Sequence, residues 1–267
     1  MVRTIFAAAA ACFITGCVTA PDPAAIVAAE RAFAADGYAT GIKASFMAHA
    51  APDAVIFAPG PVNVHAHFGA QPDAAPDPSR PHLVWWPLWA GISASDDVGF
   101  TSGPYAYDDD RRGYYFTIWQ KQAGGDWKWV LDAGVEADAS AAPGPGSMVQ
   151  ALPVATSGSV SADTAFSDVM KLEAAGTGEY APTARLHAPG LAPATDAASR
   201  QAARAARPAG IALTPLGGGA SGAGDLVWTY AEATWGDAAA PGGYLVHVWQ
   251  KHQTGWKIVF DELVPAQ

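Results

Sequence analysis

The same aromatic pattern occurs twice in this chain, about 130 residues apart. Residues 113–132 read GYYFTIWQKQAGGDWKWVLD, and residues 242–261 read GGYLVHVWQKHQTGWKIVFD. Upstream, the tripeptide APG at 58–60 recurs at 188–190, and Phe33 falls opposite Phe166. All offsets lie between 128 and 133 residues, which is far longer than the 20 to 50 residues of a solenoid unit. The pattern therefore predicts a duplicated whole domain.

The composition is compatible with two compact domains joined by a connector. Half of the 267 residues are apolar and 15% are charged, which is enough apolar material for a sizeable core. Residues 139–160 are rich in Ala, Gly, Pro and Ser, as is typical of a linker. The predicted units are a signal peptide at 1–16, a tether at 17–23, a first domain at 24–138, the linker, and a second domain at 161–267.

Each copy begins with helical spacing and continues with strand-like segments. Gly41 and Gly176 are expected to interrupt the helices, because glycine disfavours a helix interior. The predicted strands are 54–58, 83–93, 98–107, 113–122 and 126–132 in the first copy and 184–188 at the start of the second. Helices followed by consecutive strands indicate an α+β fold with a mostly antiparallel sheet in each domain.

This order of elements resembles the nuclear-transport-factor-2-like superfamily, in particular its SnoaL-like domains of unknown function. The most specific part is the terminal hairpin, IWQK…WKWVLD in one copy and VWQK…WKIVFD in the other. The resemblance covers 24–138 and 161–267. It implies two cone-shaped domains, each a curved antiparallel sheet wrapped over N-terminal helices around an apolar pocket. Relatives include isomerases, dehydratases, polyketide cyclases and non-catalytic binders, so the fold leaves the activity open.

Two residues of the second copy are candidates for general-base catalysis, His247 and Asp261. Proton-transfer enzymes of this fold need an Asp or His base in a dry pocket. His247 shares a strand face with Trp249, so it is expected to point into the cone, and its counterpart in the first copy is Thr117. Asp261 ends the last strand, as Asp132 does. A core histidine and a turn-capping aspartate are the structural alternatives.

The ligand-binding candidates are also in the second copy. Arg185 and His187 share one face of the opening strand, opposite Leu186, and they face either the pocket or the outside and the other domain. Trp228 and Tyr230 are expected to form a pocket wall. Because polar groups are concentrated at these positions of the second copy, we expect that domain to bind a small anionic, apolar or carbonyl-bearing ligand.

Two further patterns are weaker. His65 and His67 alternate as metal ligands can, but nearby Pro and Gly predict a loop, and no metal site is expected. Arg200, Arg204 and Arg207 recur at helical spacing, which predicts a solvated helix face, with a basic rim around a ligand as the alternative.

The charge and the motifs exclude several classes of function. The formal net charge is −10, and no basic stripe is present, so nucleic acid is not an expected partner. The sequence lacks phosphate-binding, dinucleotide-binding, serine-hydrolase and zincin motifs, so no cofactor is expected. We expect a non-enzymatic ligand-binding protein whose two domains form an intramolecular pseudo-dimer. The alternatives are an isomerase or dehydratase with a His or Asp base, and a non-catalytic envelope interaction protein.

The N-terminus has the features of an export signal. Arg3 precedes an apolar stretch from Ile5 to Ile14 that is too short to cross a bilayer, and ITGC follows. The stretch ITGC resembles a bacterial lipobox, which implies cleavage before Cys17 and acylation of that residue. The alternative is an ordinary secretory peptide. Val18 in place of Asp favours the outer membrane, so a lipid-anchored location facing the periplasm is expected.

We predict that Cys17 is the acylated residue. Labelled palmitate should enter the wild type and a Cys12→Ser control, because Cys12 lies in the stretch that is removed. The Cys17→Ser chain should take up no label and should leave the membrane fraction. Equal labelling of all three chains would contradict the lipobox.

Overall fold

The computed structural model describes residues 21–73, 79–155, 160–236 and 242–266. The signal peptide at 1–16, the predicted lipidation site Cys17 and part of the tether lie outside the described residues. Within the described ranges, no helix is both long and apolar enough to cross a membrane.

Both halves of the chain start with helices and continue into a sheet. In the first half the helices are α1 (Ala24–Thr40), α2 (Ile42–His49) and α3 (Val64–Gly69), and the strands are β1 (Ala50–Phe57), β2 (Pro61–Asn63), β3 (Leu83–Trp85), β4 (Trp89–Ile92), β5 (Val98–Tyr107), β6 (Asp110–Lys121), β7 (Trp127–Glu136) and β8 (Gln150–Ala151). In the second half the helices are α4 (Ala162–Ala175) and α5 (Ala197–Ala205), and the strands are β9 (Tyr180–His187), β10 (Ala212–Ala220), β11 (Leu226–Thr234), β12 (Gly243–His252) and β13 (Gly255–Pro265).

The two sheets share one strand order. The first runs β2-β1-β7-β6-β5-β4-β8, with β3 also paired to β5, and the second runs β10-β11-β12-β13-β9. In each sheet the opening strand, β1 or β9, pairs in parallel with the last strand, while the long central strands pair antiparallel. The predicted α+β class is therefore confirmed, and most predicted strand segments overlap observed strands. The predicted segment 83–93 forms two strands, β3 and β4. The prediction that Asp132 and Asp261 end the last strands is wrong, because β7 continues to Glu136 and β13 continues to Pro265.

Local sequence signals explain where the helices end and begin. Gly41 and Gly176 follow α1 and α4 with φ angles of +89° and +61°, a conformation that glycine adopts at little cost, so the predicted interruptions are confirmed. The predicted loop at His65 and His67 is wrong. These residues lie in α3, whose first turn is capped by the Asn63 side chain accepting from the Ala66 amide at 3.0 Å.

The predicted linker contributes a strand to the first sheet. Strand β8 pairs in parallel with β4, and Leu152, just beyond it, is 4% exposed. The segment therefore belongs to the packed structure, although its composition is typical of a connector.

Each sheet is covered on both faces. One face of each sheet packs against the helices of the same half, and the other face packs against the sheet of the other half. Phe116 of β6 and Phe260 of β13 stack with ring centroids 3.6 Å apart and an interplanar angle of 8°. Because both faces are buried, β6 and β12 contain long runs of buried residues rather than an alternation of buried and exposed ones.

Two equivalent turns exchange hydrogen bonds across the contact between the sheets. Asp97 accepts from the Gly222 amide at 2.8 Å, and Asp225 accepts from the Ala94 amide at 2.9 Å. Position 97 corresponds to 225, and 94 corresponds to 222, each with an offset of 128. The two hydrogen bonds are therefore reciprocal, as in an isologous interface.

Ring contacts repeat the same reciprocity. Tyr114 lies 5.2 Å from His187, and Tyr244 lies 5.4 Å from Phe57, measured between ring centroids. The two contacts are equivalent, because with an offset of 130 residue 114 corresponds to 244 and residue 57 corresponds to 187.

We predict that Phe260→Ala destabilises the whole chain. Truncating a fully buried Phe removes its packing on Phe116 and leaves a cavity, which costs about 3–5 kcal/mol. Urea-induced unfolding followed by tryptophan fluorescence measures the loss. The control Leu191→Ala, at a residue that is 38% exposed, should change the free energy of unfolding by less than about 0.5 kcal/mol. Equal effects of the two variants would contradict this account.

Candidate functional site

A buried glutamate of α4 organises the polar interior of the second half. Glu173 Oε1 accepts hydrogen bonds from Thr229 Oγ1 at 2.6 Å and from Trp249 Nε1 at 2.7 Å. His247 Nδ1 lies 2.8 Å from the same oxygen. The helix is thereby attached to β11 and β12 through one carboxylate.

His247 also faces the second buried carboxylate, that of Asp261 on β13. The distance from His247 Nε2 to Asp261 Oδ2 is 3.6 Å, and Nε2 is buried without a hydrogen-bond partner. Arg207 binds both oxygens of Asp261, at 2.9 and 2.6 Å, and the Tyr180 hydroxyl donates to Oδ2. We call these residues the second polar core: Glu173, Tyr180, Arg207, Thr229, His247, Trp249 and Asp261.

The charges of the second polar core compensate one another. Burial would lower the pKa of His247, but Glu173 and Asp261 raise it to about 9. Burial would raise the pKa of Asp261, but Arg207 and His247 lower it well below its usual range. Burial would raise the pKa of Glu173, but His247, Thr229 and Trp249 together lower it. At neutral pH two cations therefore balance two carboxylates.

The first half has an equivalent core with a glutamate and an aspartate at matching places, and among the described residues no cation contacts either carboxylate. Glu30 of α1 accepts from Trp85 Nε1 at 2.6 Å, from Trp119 Nε1 at 3.0 Å and from the Thr101 hydroxyl. Asp132 accepts from Thr117 Oγ1 at 2.7 Å. We call these residues the first polar core: Glu30, Trp85, Thr101, Thr117, Trp119 and Asp132.

Burial dominates the electrostatics of the first polar core. It raises the pKa of Glu30, and it raises the pKa of Asp132 well above its usual value. The difference between the halves follows from His247 in place of Thr117 and from the presence of Arg207. A buried carboxyl that lacks a cationic partner favours its neutral form.

The second polar core is poorly suited to general-base catalysis. A base must be unprotonated at the working pH and must have a pKa near it. His247 is protonated at neutral pH, and the pKa of Asp261 lies far below neutrality, so neither group readily takes a proton from a substrate. The arrangement joins α4, β9, β12 and β13 instead.

The interior beneath the first sheet is filled by aromatic side chains. Phe33 lies 4.9 Å from Trp85 and 6.1 Å from Trp129 between ring centroids, and Phe46 lies 4.8 Å from Phe33. The rings of Phe33 and Trp129 are fully buried. Such close packing leaves little room for a ligand among these residues.

Arg185 and His187 lie on the side of β9 that faces the first sheet. The Arg185 guanidinium lies 4.7 Å above the Trp89 ring, and its side chain binds Gln150. His187 Nδ1 is 2.8 Å from Glu262, and both residues are buried. Leu186 points the other way, into an apolar cluster with Ala203 of α5.

Trp228 and Tyr230 lie on the opposite side of β11 from Thr229, which contacts Glu173. Their rings are stacked with centroids 6.2 Å apart, and both line a cleft between the two halves together with Gly217, Gly218 and Gly219. The structure therefore places the predicted wall residues away from the predicted base His247.

The predicted solvated face is wrong for Arg200, which is buried, and for Arg207, which is half-buried, whereas Arg204 is exposed. Arg200 is buried and donates to the carbonyls of Pro182, Ala184 and Thr195 at 3.2, 3.0 and 3.0 Å. Arg204 lies 5.0 Å above the Tyr180 ring. Since Arg207 binds Asp261, guanidinium groups connect α5 and the loop after it to the sheet.

Neither Glu30 nor Glu173 is among the residues predicted from the sequence. Glu30 and Glu173 differ by 143 residues, whereas the strand positions repeat at 128 to 130. The offset between the two helices therefore differs from the offset between the strands. An alignment that pairs Phe33 with Phe166 does not pair Glu30 with Glu173. The available signal was an acidic residue on the apolar face of each helix, four positions after Ile26 in α1 and four positions after Val169 in α4.

The remaining histidine pair makes local contacts. His65 Nε2 lies 3.1 Å from the Ala51 carbonyl, and His67 Nε2 lies 2.8 Å from Gln71 Nε2. Across the part of the chain that the structure describes, no three His, Cys, Asp or Glu residues are grouped as metal ligands.

Comparisons with known proteins yield structural matches only. No protein-family model matches the chain, and no curated protein does. The chain is similar to a protein of unknown function from the DUF3225 family of Pectobacterium atrosepticum SCRI1043, at 20% identity over 39% of this chain and 79% of that one, with a TM-score of 0.28. It is also similar to the CaMKII hub homology domain of Chlamydamonas reinhardtii, at 19% identity over 42% of this chain and 92% of that one, with a TM-score of 0.29.

We predict that His247 makes stability fall at alkaline pH. Its pKa is near 6.5 in the unfolded chain and about 9 in the folded one, so its contribution is complete below pH 6.5 and is lost as the pH rises through 9. The free energy of unfolding should fall over this window by up to about 1.4 kcal/mol per pH unit.

Urea unfolding between pH 6 and 10 measures this fall. His247→Gln should remove it, whereas the control His252→Gln should retain it, because burial lowers the pKa of His252. An NMR titration that gives His247 an ordinary pKa would contradict the prediction.

Proposed function

We propose that this protein is a non-catalytic binding protein of the bacterial cell envelope, held by a lipid on Cys17 and facing the periplasm. One observation carries the proposal: the acid–base groups of the second polar core are engaged in buried ion pairs. His247 and Asp261 stabilise the fold in this account, and binding takes place elsewhere on the molecule.

Binding is assigned to the second half, at the surface formed by Trp228 and Tyr230. These rings are only partly buried, unlike Trp119 and Trp249, which are inaccessible. Aromatic surface with a few polar neighbours is typical of a binding site. The filled interior beneath the first sheet favours no second binding site there, although Asp53, Val55 and Gln120 of the first half line the same cleft as Trp228 and Tyr230.

The location follows from the sequence signal. The stretch ITGC precedes Cys17, and Val18 follows it, which favours the outer membrane. Several acyl chains on one cysteine would hold the protein on the membrane more firmly than a single chain does.

We also infer that the two halves act as one intramolecular pseudo-dimer. The reciprocal hydrogen bonds of Asp97 and Asp225 support this arrangement. A connector within one chain keeps the halves at a high effective concentration, so the pair does not depend on the concentration of the protein.

We predict that the protein does not accelerate proton transfer. A β,γ-unsaturated cyclic ketone serves as the probe, and ultraviolet absorbance reports its conversion to the conjugated isomer. The rate should be the same with the wild type, with His247→Gln and with an equal concentration of serum albumin. Acceleration by the wild type that His247→Gln abolishes would favour the isomerase alternative.

A further inference from the structure

In the first half, an extended segment of the chain lies along the edge of β4. The Gln150 amide donates to the Leu88 carbonyl at 2.9 Å, and the Leu152 amide donates to the Ala90 carbonyl at 2.8 Å. Residues 149–153 therefore add to the first sheet as a short parallel strand. We call the place that they occupy the filled groove.

Two side chains of the second half also hold this segment. Gln250 of β12 donates to the Pro153 carbonyl at 2.8 Å, and Arg185 of β9 binds the Gln150 side chain. Leu152 packs close to Gly91, where a β-carbon would come within 3.2 Å of the leucine. The filled groove is thus formed by the edge of β4 in the first half and by the side chains of Gln250 and Arg185 in the second half.

Each residue that forms the filled groove has a counterpart in the other copy of the repeat, and these counterparts also lie near one another. With an offset of 128, residues 89–91 of β4 correspond to 217–219 of β10. With an offset of 130, Gln250 corresponds to Gln120, and Arg185 corresponds to Val55. The reciprocal contacts between the turns and between the rings follow these same offsets.

A cleft of about 490 Å³ lies at this second set of positions. Its lining includes Gly217, Gly218, Gly219, Val55 and Gln120, each the counterpart of a residue that forms the filled groove. We call it the open cleft. The correspondence is independent of any ligand, because it rests on the internal repeat alone.

Two substitutions between the copies account for the shape of the open cleft. The cation–π pair of Arg185 and Trp89 has Val55 and Gly217 as its counterparts, so bulky side chains are replaced by small ones. The Tyr230 ring covers Gly217, where a β-carbon would lie 2.7 Å from the ring. Glycine at 217 in place of a tryptophan leaves space beside β10, and the Tyr230 ring lies where a side chain of residue 217 would project.

We propose that the open cleft binds an extended peptide segment of a partner protein, which adds to β10 as a parallel strand in the way that residues 149–153 add to β4. Strand addition supplies main-chain hydrogen bonds to an exposed sheet edge, and pockets beside it read alternate side chains. Gln120 takes the role of Gln250 and donates to a carbonyl of the bound peptide.

The charge of the open cleft specifies a basic residue in that peptide. Asp53 and Asp163 line the cleft, and the described residues that line it include no Lys, Arg or His. In the filled groove Gln150 meets Arg185; in the open cleft the counterpart of Arg185 is Val55, with Asp53 two residues before it on the same strand face. A Lys or Arg at the position of Gln150 would therefore meet a carboxylate.

This inference rests on the proposed function only in that the protein binds rather than catalyses, and its failure would leave the results on His247 unchanged. The probes are two capped synthetic peptides. One has the sequence of residues 148–154, MVQALPV, and the other carries Lys in place of Gln, MVKALPV. Each is titrated into the isotope-labelled full chain, and backbone amide shifts and hydrogen exchange are recorded by NMR.

We expect saturable shifts and slower exchange at residues 217–220, with the Lys peptide bound up to about fivefold more tightly than the Gln peptide at low salt. Gln120→Ala should weaken both peptides about fivefold by removing one hydrogen bond. The matched control Gln253→Ala, at an exposed turn glutamine, should change neither affinity. Asp53→Asn combined with Asp163→Asn should abolish the preference for Lys and leave the Gln peptide unaffected.

Three results would overturn the proposal. The first is the absence of shifts at 217–220 with either peptide at millimolar concentration. The second is a set of shifts confined to residues 88–91 and 149–153, which would show the probe displacing the chain's own strand from the filled groove. The third is a concentration-dependent dimer of the free protein that protects residues 217–220, since the occupant would then be a second copy of this chain.

Discussion

The packing of one sheet against the other is the constraint on which the rest of this structure depends. The stacked rings of Phe116 and Phe260 lie within one continuous apolar cluster that includes residues of both halves. Because that cluster covers one face of each sheet, the polar side chains on the other face are enclosed beneath the helices. The same contact brings β9 against the first sheet, where Arg185 and His187 find their partners.

The first and second polar cores have similar hydrogen-bond arrangements but differ in charge. Each half uses a helix glutamate to accept from a strand threonine and a strand tryptophan, and each has an aspartate at the equivalent strand position. In the first half burial raises the pKa of Glu30 and Asp132, so their neutral forms are favoured. In the second half His247 and Arg207 provide compensating charge, and both carboxyls are ionised. Removal of one partner of such a buried ion pair leaves an uncompensated buried charge, which is strongly destabilising.

The two halves also differ at the cleft that we propose to bind a peptide. Turns and rings exchange equivalent contacts across the two halves, whereas the edges of β4 and β10 differ. Trp89 and Arg185 lie beside the chain's own strand at one edge, while Gly217 and Val55 line a cleft at the other. A single chain can change one copy of such a site without changing the other, which two identical subunits cannot do.

The sequence by itself predicted a repeat. It determined the α+β class, most strand segments of the first half and the glycines that end α1 and α4, because these depend on local periodicity and backbone preference. It also indicated that His247 differs chemically from Thr117. Only the tertiary structure decided which groups those residues meet. Glu173 and Arg207 come from a helix and a loop whose spacing departs from the strand repeat, so no pattern along the chain pairs them with His247 and Asp261. Likewise, the alternation of side chains along β9 and β11 assigns residues to two faces of the strand. It does not say which face meets the helices and which meets the other sheet, because both faces are buried.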